Sequence, residues 1–389
     1  GTFPANVSAS SARPLSQLLV VLPGAVATTS DVAGAYFNGT PRPPEEDGGR
    51  VLFTPIPKGW DEFGYKQHNE RGERLFFRVD SNMPGRQEAG AVWEAEYTAK
   101  LKEWGFTQSI VDRRVFMQFD DDGLALVVGV FVDDNWILSQ SPKLLAQFTE
   151  RWMSEYDCAP NMAATKTEFC GVGMVRKDED TVELHVDGTI DLLGESLTPY
   201  GYAGSCAEPM HRDGLKHIQA PPSDDNPLQS PELHEVARRI MGRGGWVVTM
   251  VRPDAYFAFT ALATQLAMNF TKAVWDGVLR WASYLVATKG LRLTYRRQRD
   301  GAPWVTFSDS SVLNAGAGQS FGGHCSCYEG SGLLNWRCFV PRRLSDSSAA
   351  AELMVATSAA KWILGQRMLS AELRQGQEGP SPLYLDAQA

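Results

Sequence analysis

Cysteine and histidine are scarce, at six each in 389 residues. Cys158, Cys170, Cys206, Cys325, Cys327 and Cys338 show no paired zinc-type spacing, and Cys325-Ser-Cys327 alone is a poor metal signature. Neither a zinc module nor a disulfide framework is expected, and reduced thiols in a cell interior are. Long apolar runs are missing too. The longest, Leu15 to Val26 and Leu124 to Val132, fall short of the roughly 20 residues that cross a bilayer. The start, Gly1-Thr-Phe-Pro-Ala-Asn-Val-Ser8, has no basic flank before an apolar core, which argues against a secretory signal. The missing Met suggests a fragment or processed product. No internal repeat is visible. Basic residues are in deficit, 37 against 46 acids, for a formal net charge of −9. The deficit lies in the first half: residues 1–200 hold 18 Lys and Arg against 30 Asp and Glu, a balance of −12, and residues 201–389 hold 19 against 16, a balance of +3. An acidic total argues against non-specific coating of DNA, yet allows a local basic track and carboxylates gathered around metals.

At 389 residues and 43% hydrophobic the chain can bury more than one core, so two or three domains are expected. Leu15 to Leu22 predicts a short helix stopped by Pro23-Gly24. Asp31 ends an extended segment, followed by the turn-like Val32-Ala-Gly-Ala-Tyr-Phe-Asn-Gly39. Pro41 to Arg50 reads as an exposed loop, Val51 to Pro57 and Leu75 to Val79 as strands, and Asp61 to Arg74 as polar loop. Gln87 to Phe106 carries helical spacing, with Ala91, Trp93, Tyr97 and Leu101 near one face. Gly123 to Gln140 reads as a hairpin turning on Asp133-Asp-Asn135, Pro142 to Tyr156 as an amphipathic helix, and Thr167 to Val175 and Thr181 to Val186 as strands. Antiparallel strands with helices on one face make an α+β domain. Pro221 to Pro231 is a linker candidate, and Glu232 to Met250, Pro253 to Asn269 and Lys272 to Ala287 predict three helices. The last segment alternates again: strands at Trp304 to Ser308, Ser320 to Tyr328, Leu333 to Trp336 and Leu383 to Leu385, and a helix over Asp346 to Leu369.

Asp31, Asp133 and Asp134 sit at strand ends in one expected sheet. Oxygen-only donors suit Mg²⁺, and two such ions can activate a hydroxyl and stabilise a leaving phosphate oxygen. Asp-Asp-Asn is equally ordinary turn chemistry, and composition cannot choose these three among 46 acids. Arg280 to Arg299 carries Arg280, Lys289, Arg292, Arg296, Arg297 and Arg299 and no acid, interleaved with Trp281, Tyr284 and Tyr295. Such a mix can track a phosphate backbone and is equally a solvated basic face near a helix end.

Pattern makes the choice. Asp31-Val-Ala-Gly-Ala-Tyr-Phe-Asn-Gly39 resembles the Asp-Val-x-x-Ala-Phe-Leu-Asn-Gly of copia-type (Pseudoviridae-like) retrotransposon reverse transcriptases, and Phe131-Val-Asp-Asp134 resembles their Tyr-Val-Asp-Asp. Phe169-Cys-Gly-Val172, Arg252-Pro-Asp254 and Tyr284-Leu-Val-Ala-Thr-Lys-Gly290 resemble later motifs in the same order. Phe307-Ser-Asp309, Ser347-Ser-Ala-Ala-Ala-Glu352 and Pro382-Leu-Tyr-Leu-Asp386 then resemble the element's ribonuclease H.

The resemblance implies a palm with incomplete fingers over 1–200, a helical thumb or connection region over 201–300, and a ribonuclease H-like α/β domain, truncated at its C-terminus, over 301–389. It implies an RNA-directed DNA polymerase that adds dNTPs to a DNA primer on an RNA template, and a nuclease for the RNA strand of an RNA–DNA hybrid. Asp31, Asp133 and Asp134, with the carbonyl of Val32, would bind Mg²⁺, Mn²⁺ being an alternative. Asp309, Glu352 and Asp386 would bind the nuclease metals. Tyr36 falls where relatives place an aromatic over the sugar's 2′ position; the other reading is a buried aromatic in the sheet. Gly85 and Gln87 belong to a nucleotide-handling segment, here Pro84-Gly-Arg-Gln-Glu-Ala-Gly-Ala-Val-Trp93, which keeps Gly85, Ala89 and Trp93 but not the family's Lys and Pro. Arg280, Lys289, Arg292, Arg296 and Arg297 would contact nucleic acid. The rest of a Pol polyprotein is an implied partner, no membrane is, and the location is intracellular, in cytoplasmic virus-like particles or the nucleus. The basic fingers strand of relatives has no counterpart before Asp31. A second expectation is therefore a decayed or host-retained element product that binds nucleic acid or partners without catalysis.

Overall fold

In the computed structural model, residues 8–39, 51–79, 82–84, 86, 88–161, 166–201, 206–297, 304–316, 319–345 and 347–386 are described. Helix α1 (Ala9–Val21) starts six residues before the expected Leu15. Ser8 caps it, its hydroxyl accepting from the Ser11 N–H. Pro14 lies inside the helix without ending it.

Six strands form the first sheet: β1 (Val26–Val32), then, after the short α2 (Ala35–Asn38), the outlying ribbon β2 (Leu52–Pro55) and β3 (Phe76–Val79), and helix α3 (Ala89–Glu103), come β4 (Thr107–Gln108), β5 (Val115–Asp120), β6 (Gly123–Phe131), β7 (Asp134–Ser139) and, beyond α4 (Pro142–Glu155), β8 (Cys158–Asn161). Their order is β4-β5-β6-β7-β1-β8, every pair antiparallel, while β2 pairs only with β3. The six-stranded sheet is covered on both faces, which explains the unbroken apolar run of β6. Leu126, Val128 and Val130 enter one cluster with Trp93, Tyr97, Phe148 and Trp152 of α3 and α4. Leu124 and Val127 enter another with Leu15, Leu18 and Leu19 of α1.

A second sheet, ordered β12-β11-β10-β9, contains β9 (Lys166–Phe169), β10 (Val172–Asp178) and β11 (Thr181–His185). After α5 (Asp187–Leu197), α6 (Gly214–Ile218), α7 (Pro231–Met250), α8 (Tyr256–Met268) and α9 (Lys272–Ala287) it is completed by β12 (Leu293–Arg296). The three long helices stand where the sequence put them. The expected linker Pro221 to Pro231 is instead pinned to them: Lys272 N–H donates to the Pro227 carbonyl and Gln229 N–H to the Phe270 carbonyl, at 2.9 and 2.8 Å.

The third sheet, β15-β14-β13-β16, is built from β13 (Trp304–Gly316), β14 (Gln319–Tyr328), β15 (Leu333–Phe339) and, following helix α10 (Ser348–Glu372), β16 (Leu383–Leu385). The first three are antiparallel neighbours and β16 runs parallel to β13, the crossover being α10. The mixed α+β class is as expected. The boundaries near 200 and 300 do not separate cores, since one cluster runs from Leu15 through Leu184, Val278 and Trp336 to Leu373. At its centre Arg13 of α1 donates to the carbonyls of Leu334 (2.8 Å) and Thr249 (2.5 Å), its guanidinium 3.9 Å from the Trp336 ring centre. Burial lowers the pKa of Arg13 to about 10. No helix among the described residues is long and apolar enough to cross a membrane.

Candidate active site

The two apolar strands β6 and β7 meet in a two-residue turn. Phe131 pairs with Asp134, so the turn residues are Val132 and Asp133, one step earlier than the Asp-Asp-Asn turn expected. Val132 has φ 58°, a left-handed conformation that a β-branched side chain adopts at a cost; positive φ at the first turn residue alone is the type II′ pattern usually given to Gly. The strain is held by bonds to both turn carbonyls. Buried Trp93 donates its indole N–H to Val132 O at 2.6 Å, while Val32 N–H and Asn135 Nδ2 donate to Asp133 O at 2.9 and 3.2 Å. Strain over-determined in this way is typical of functional turns.

Asp31 and Asp134 are register partners on the adjacent antiparallel strands β1 and β7, so their side chains share a face. Directly opposed like charges destabilise a sheet, which makes this pair costly as structure. Burial raises the Asp134 carboxyl above its ordinary range, a backbone bond from Cys170 opposes that rise, and the charges of Asp31 and Asp133 add to it. Cys170 N–H reaches Asp134 Oδ2 at 3.0 Å from the turn between β9 and β10. There Cys170 and Gly171 both have positive φ, 53° and 72°, as a two-residue type I′ turn requires. The expected continuous strand from Thr167 to Val175 is thus a hairpin. Burial first, then the charges of Asp134 and Asp133, push the Cys170 thiol far up and keep it neutral.

Val32 follows Asp31 with its side chain in the core, so a backbone carbonyl is all it could offer an ion. Tyr36, on α2, is half-buried against the α3 and α4 cluster, compatible with a gate or with simple packing. Gly85, Gln87, Arg299 and the loop from Pro41 to Arg50 lie outside the described residues.

The three carboxylates fit a divalent cation in chemistry: they are hard oxygen donors, and positive charge would relieve their crowding. Among the described residues no group of three or more His, Cys, Asp or Glu is gathered closely enough to hold a metal ion, these three carboxylates included.

The basic track does not form as a free stripe. Arg292 pairs with Asp187 (2.5 Å), Lys289 with Asp191 (2.6 Å) and Arg297 with Asp180 (2.5 Å). Arg296 is exposed at the end of β12 and Arg280 is half-buried on α9. Nor do Arg252-Pro-Asp254 and Tyr284 to Thr288 reach the hairpin as a site. They bind each other: Arg252 forks onto both Asp254 oxygens (2.9 and 2.7 Å) and onto Thr288, and Tyr284 donates to Asp254 at 2.7 Å.

In the third sheet, Ser308 and Leu385 are the last paired residues of parallel strands β13 and β16, which sets Asp309 beside Asp386 on the same groove. Glu352 comes in from α10. Its Oε1 accepts from the N–H and hydroxyl of Ser310 at 3.0 and 2.8 Å, and its buried Oε2 has no hydrogen-bond partner, as an ion ligand would.

Residues 14–189 match the family model described as reverse transcriptase (RNA-dependent DNA polymerase). This reverse-transcriptase match is a little under half of the chain and contains Asp31, Tyr36, Trp93, Asp133, Asp134 and Cys170. No curated protein matches the chain. Among solved structures, the foamy viral protease-reverse transcriptase in complex with an RNA/DNA hybrid aligns at 11% identity and a TM-score of 0.48, over 99% of this chain and 46% of that one. The same viral protein in complex with dsDNA aligns at 13% identity and a TM-score of 0.46, over 97% of this chain and 62% of that one. The chain therefore spans about half of the first structure's length.

Two residues that hold the hairpin escape a search for acids. Trp93 is visible in sequence only as one apolar position of a helix. Cys170 acts through its backbone, and the Cys-Gly dipeptide between apolar segments was the turn signal that could have located it.

Proposed function

We propose that the chain is an RNA-directed DNA polymerase of copia-type retroelement origin, adding nucleotides to a primer 3′-hydroxyl on an RNA template, with a C-terminal ribonuclease H-like domain acting on RNA–DNA hybrids. The observation that carries this is the facing of Asp31 and Asp134 across adjacent strands, with Asp133 at the strained turn, inside the 14–189 reverse-transcriptase match. Asp31, Asp133 and Asp134, with the Val32 carbonyl, would hold Mg²⁺ or Mn²⁺, and Asp309, Glu352 and Asp386 a second set. Bound there, such ions supply Lewis acidity to an attacking oxygen and to the leaving phosphate oxygen.

The chain's own contributions are positional. Trp93 and Val32 fix the turn carbonyls, and Cys170 N–H orients Asp134. Tyr36 would border the sugar of an incoming dNTP. Arg296 and Arg280 are the remaining candidates for backbone contact, the other three cations being engaged in ion pairs. Primer extension on poly-A RNA with Mg²⁺, against an Asp133→Asn protein, tests the assignment. Losing one ligand of a site worth several kcal/mol should lower the rate by at least about a hundredfold. Equal extension by both proteins would end the claim for this site. The second reading, a non-catalytic element remnant, draws on the paired basic residues; a protein that shifts a hybrid in a gel but never extends it would favour it.

A further inference from the structure

Helix α1 turns one face toward the third sheet, and one residue on that face does not match its surroundings. Pro14, Gln17, Leu18 and Val21 recur at helical spacing and line a cavity of about 690 Å³. The facing wall is Trp304 and Tyr328, register partners on β13 and β14 with ring centres 4.9 Å apart, together with the end of α10 and the loop after it. Arg367 staples that loop, donating to the carbonyls of Gln377 and Gly379 at 3.2 and 2.8 Å, so the cavity is preformed. Gln17 is only 2% exposed and Trp304 only 3%. Among the described residues, neither atom of the Gln17 amide has a hydrogen-bond partner, and neither does the Trp304 indole N–H. Buried polar groups are almost always paired, because an unpaired one gives up its hydration for nothing. Three such groups on two residues that border one cavity point to a ligand that completes them.

The bonds required define the ligand. The Gln17 amide offers a donor and an acceptor in one plane, and Trp304 adds a second donor. A cyclic imide edge, an N–H between two carbonyls, returns two acceptors and one donor and answers all three. Its flat ring suits aromatic and apolar walls, and the cavity is of small-molecule size, with room for a sugar beside the ring. Among the described residues, the lining includes the acid Glu378 and no Lys or Arg, so a phosphate finds no counter-charge. We propose that this cavity binds a pyrimidinedione nucleoside, of the uridine or thymidine type and without phosphate, through its imide edge. No residue of either acid set lines the cavity, so binding there is independent of the polymerase and nuclease readings.

Equilibrium dialysis of the full chain against radiolabelled uridine, in EDTA, tests the site. Wild type should take up uridine saturably, one per chain. 3-Methyluridine, which lacks the imide N–H, and cytidine, whose edge exchanges donor for acceptor, should bind at least about tenfold more weakly, the worth of one buried hydrogen bond left unmade. Trp304→Phe, which keeps a ring and drops the N–H, should weaken uridine to a similar degree. Gln17→Leu should weaken it at least as much and yet melt no lower than wild type, since leucine replaces an unpaired amide rather than a bonded one. No saturable uptake, equal binding of uridine and 3-methyluridine, or unchanged affinity in Gln17→Leu overturns the site. So does a Gln17→Leu protein that melts below wild type, which would show the amide paired within the fold. Uridine 5′-monophosphate binding as tightly as uridine overturns the choice of a ligand without phosphate.

Discussion

Asp134 is where structure and chemistry compete most directly. Burial and the neighbouring charges of Asp31 and Asp133 raise its carboxyl, only partly countered by the Cys170 N–H. A carboxyl with a folded pKa above its unfolded value favours the protonated native state, so its ionisation costs stability at pH above that raised value. The cost vanishes below the ordinary carboxylate range. Asp134→Asn should therefore raise the melting temperature at pH 7 while abolishing primer extension. The difference in melting temperature from wild type should shrink as the pH falls through the window between the raised and ordinary values. A variant that melts lower than wild type at pH 7 would show that Asp134 is structural.

Two of the motifs that carry the family resemblance, Arg252-Pro-Asp254 and Tyr284 to Gly290, bind each other as architecture. Arg252, buried to 1% exposure, is neutralised by a fork onto Asp254, and Tyr284 and Thr288 at the end of α9 complete the knot. Burial alone would raise the Asp254 carboxyl; the Arg252 fork outweighs it and holds the group low, so the pair is intact at neutral pH and fails only as pH falls below the ordinary carboxylate range. Asp254→Ala leaves an uncompensated buried guanidinium and should cost about 2–4 kcal/mol in urea denaturation at pH 7. A cost under about 0.5 kcal/mol would mean that water satisfies Arg252 instead. Periodicity made the long helices and the apolar strands legible, helped by the Ser caps of α7 and α10 and by Pro253 ahead of α8. It failed where non-local bonds decide. Nothing local to Pro221–Pro231 announces its bonds to Phe270 and Lys272, and nothing within Arg292 announces Asp187, 105 positions away. Asp31, Asp133 and Asp134 were legible only as a pattern; the facing of Asp31 and Asp134 is a matter of strand register, and the one-residue shift of the turn came from Val132 taking a conformation its side chain disfavours.

One of the two clusters that cover the first sheet continues through the helices into the third sheet, and within it Arg13 joins α1 to α7 and β15. Two separate acid sets in one chain make total metal stoichiometry informative. The most direct measurement is a Mn²⁺ titration of the full chain followed by water-proton relaxation, in wild type, in Asp31→Asn, and in Asp309→Asn with Asp386→Asn. Distinct sites predict that Asp31→Asn loses one class of bound Mn²⁺ while keeping the class that the double variant loses. Identical Mn²⁺ binding in wild type and Asp31→Asn would contradict a metal site formed by Asp31, Asp133 and Asp134.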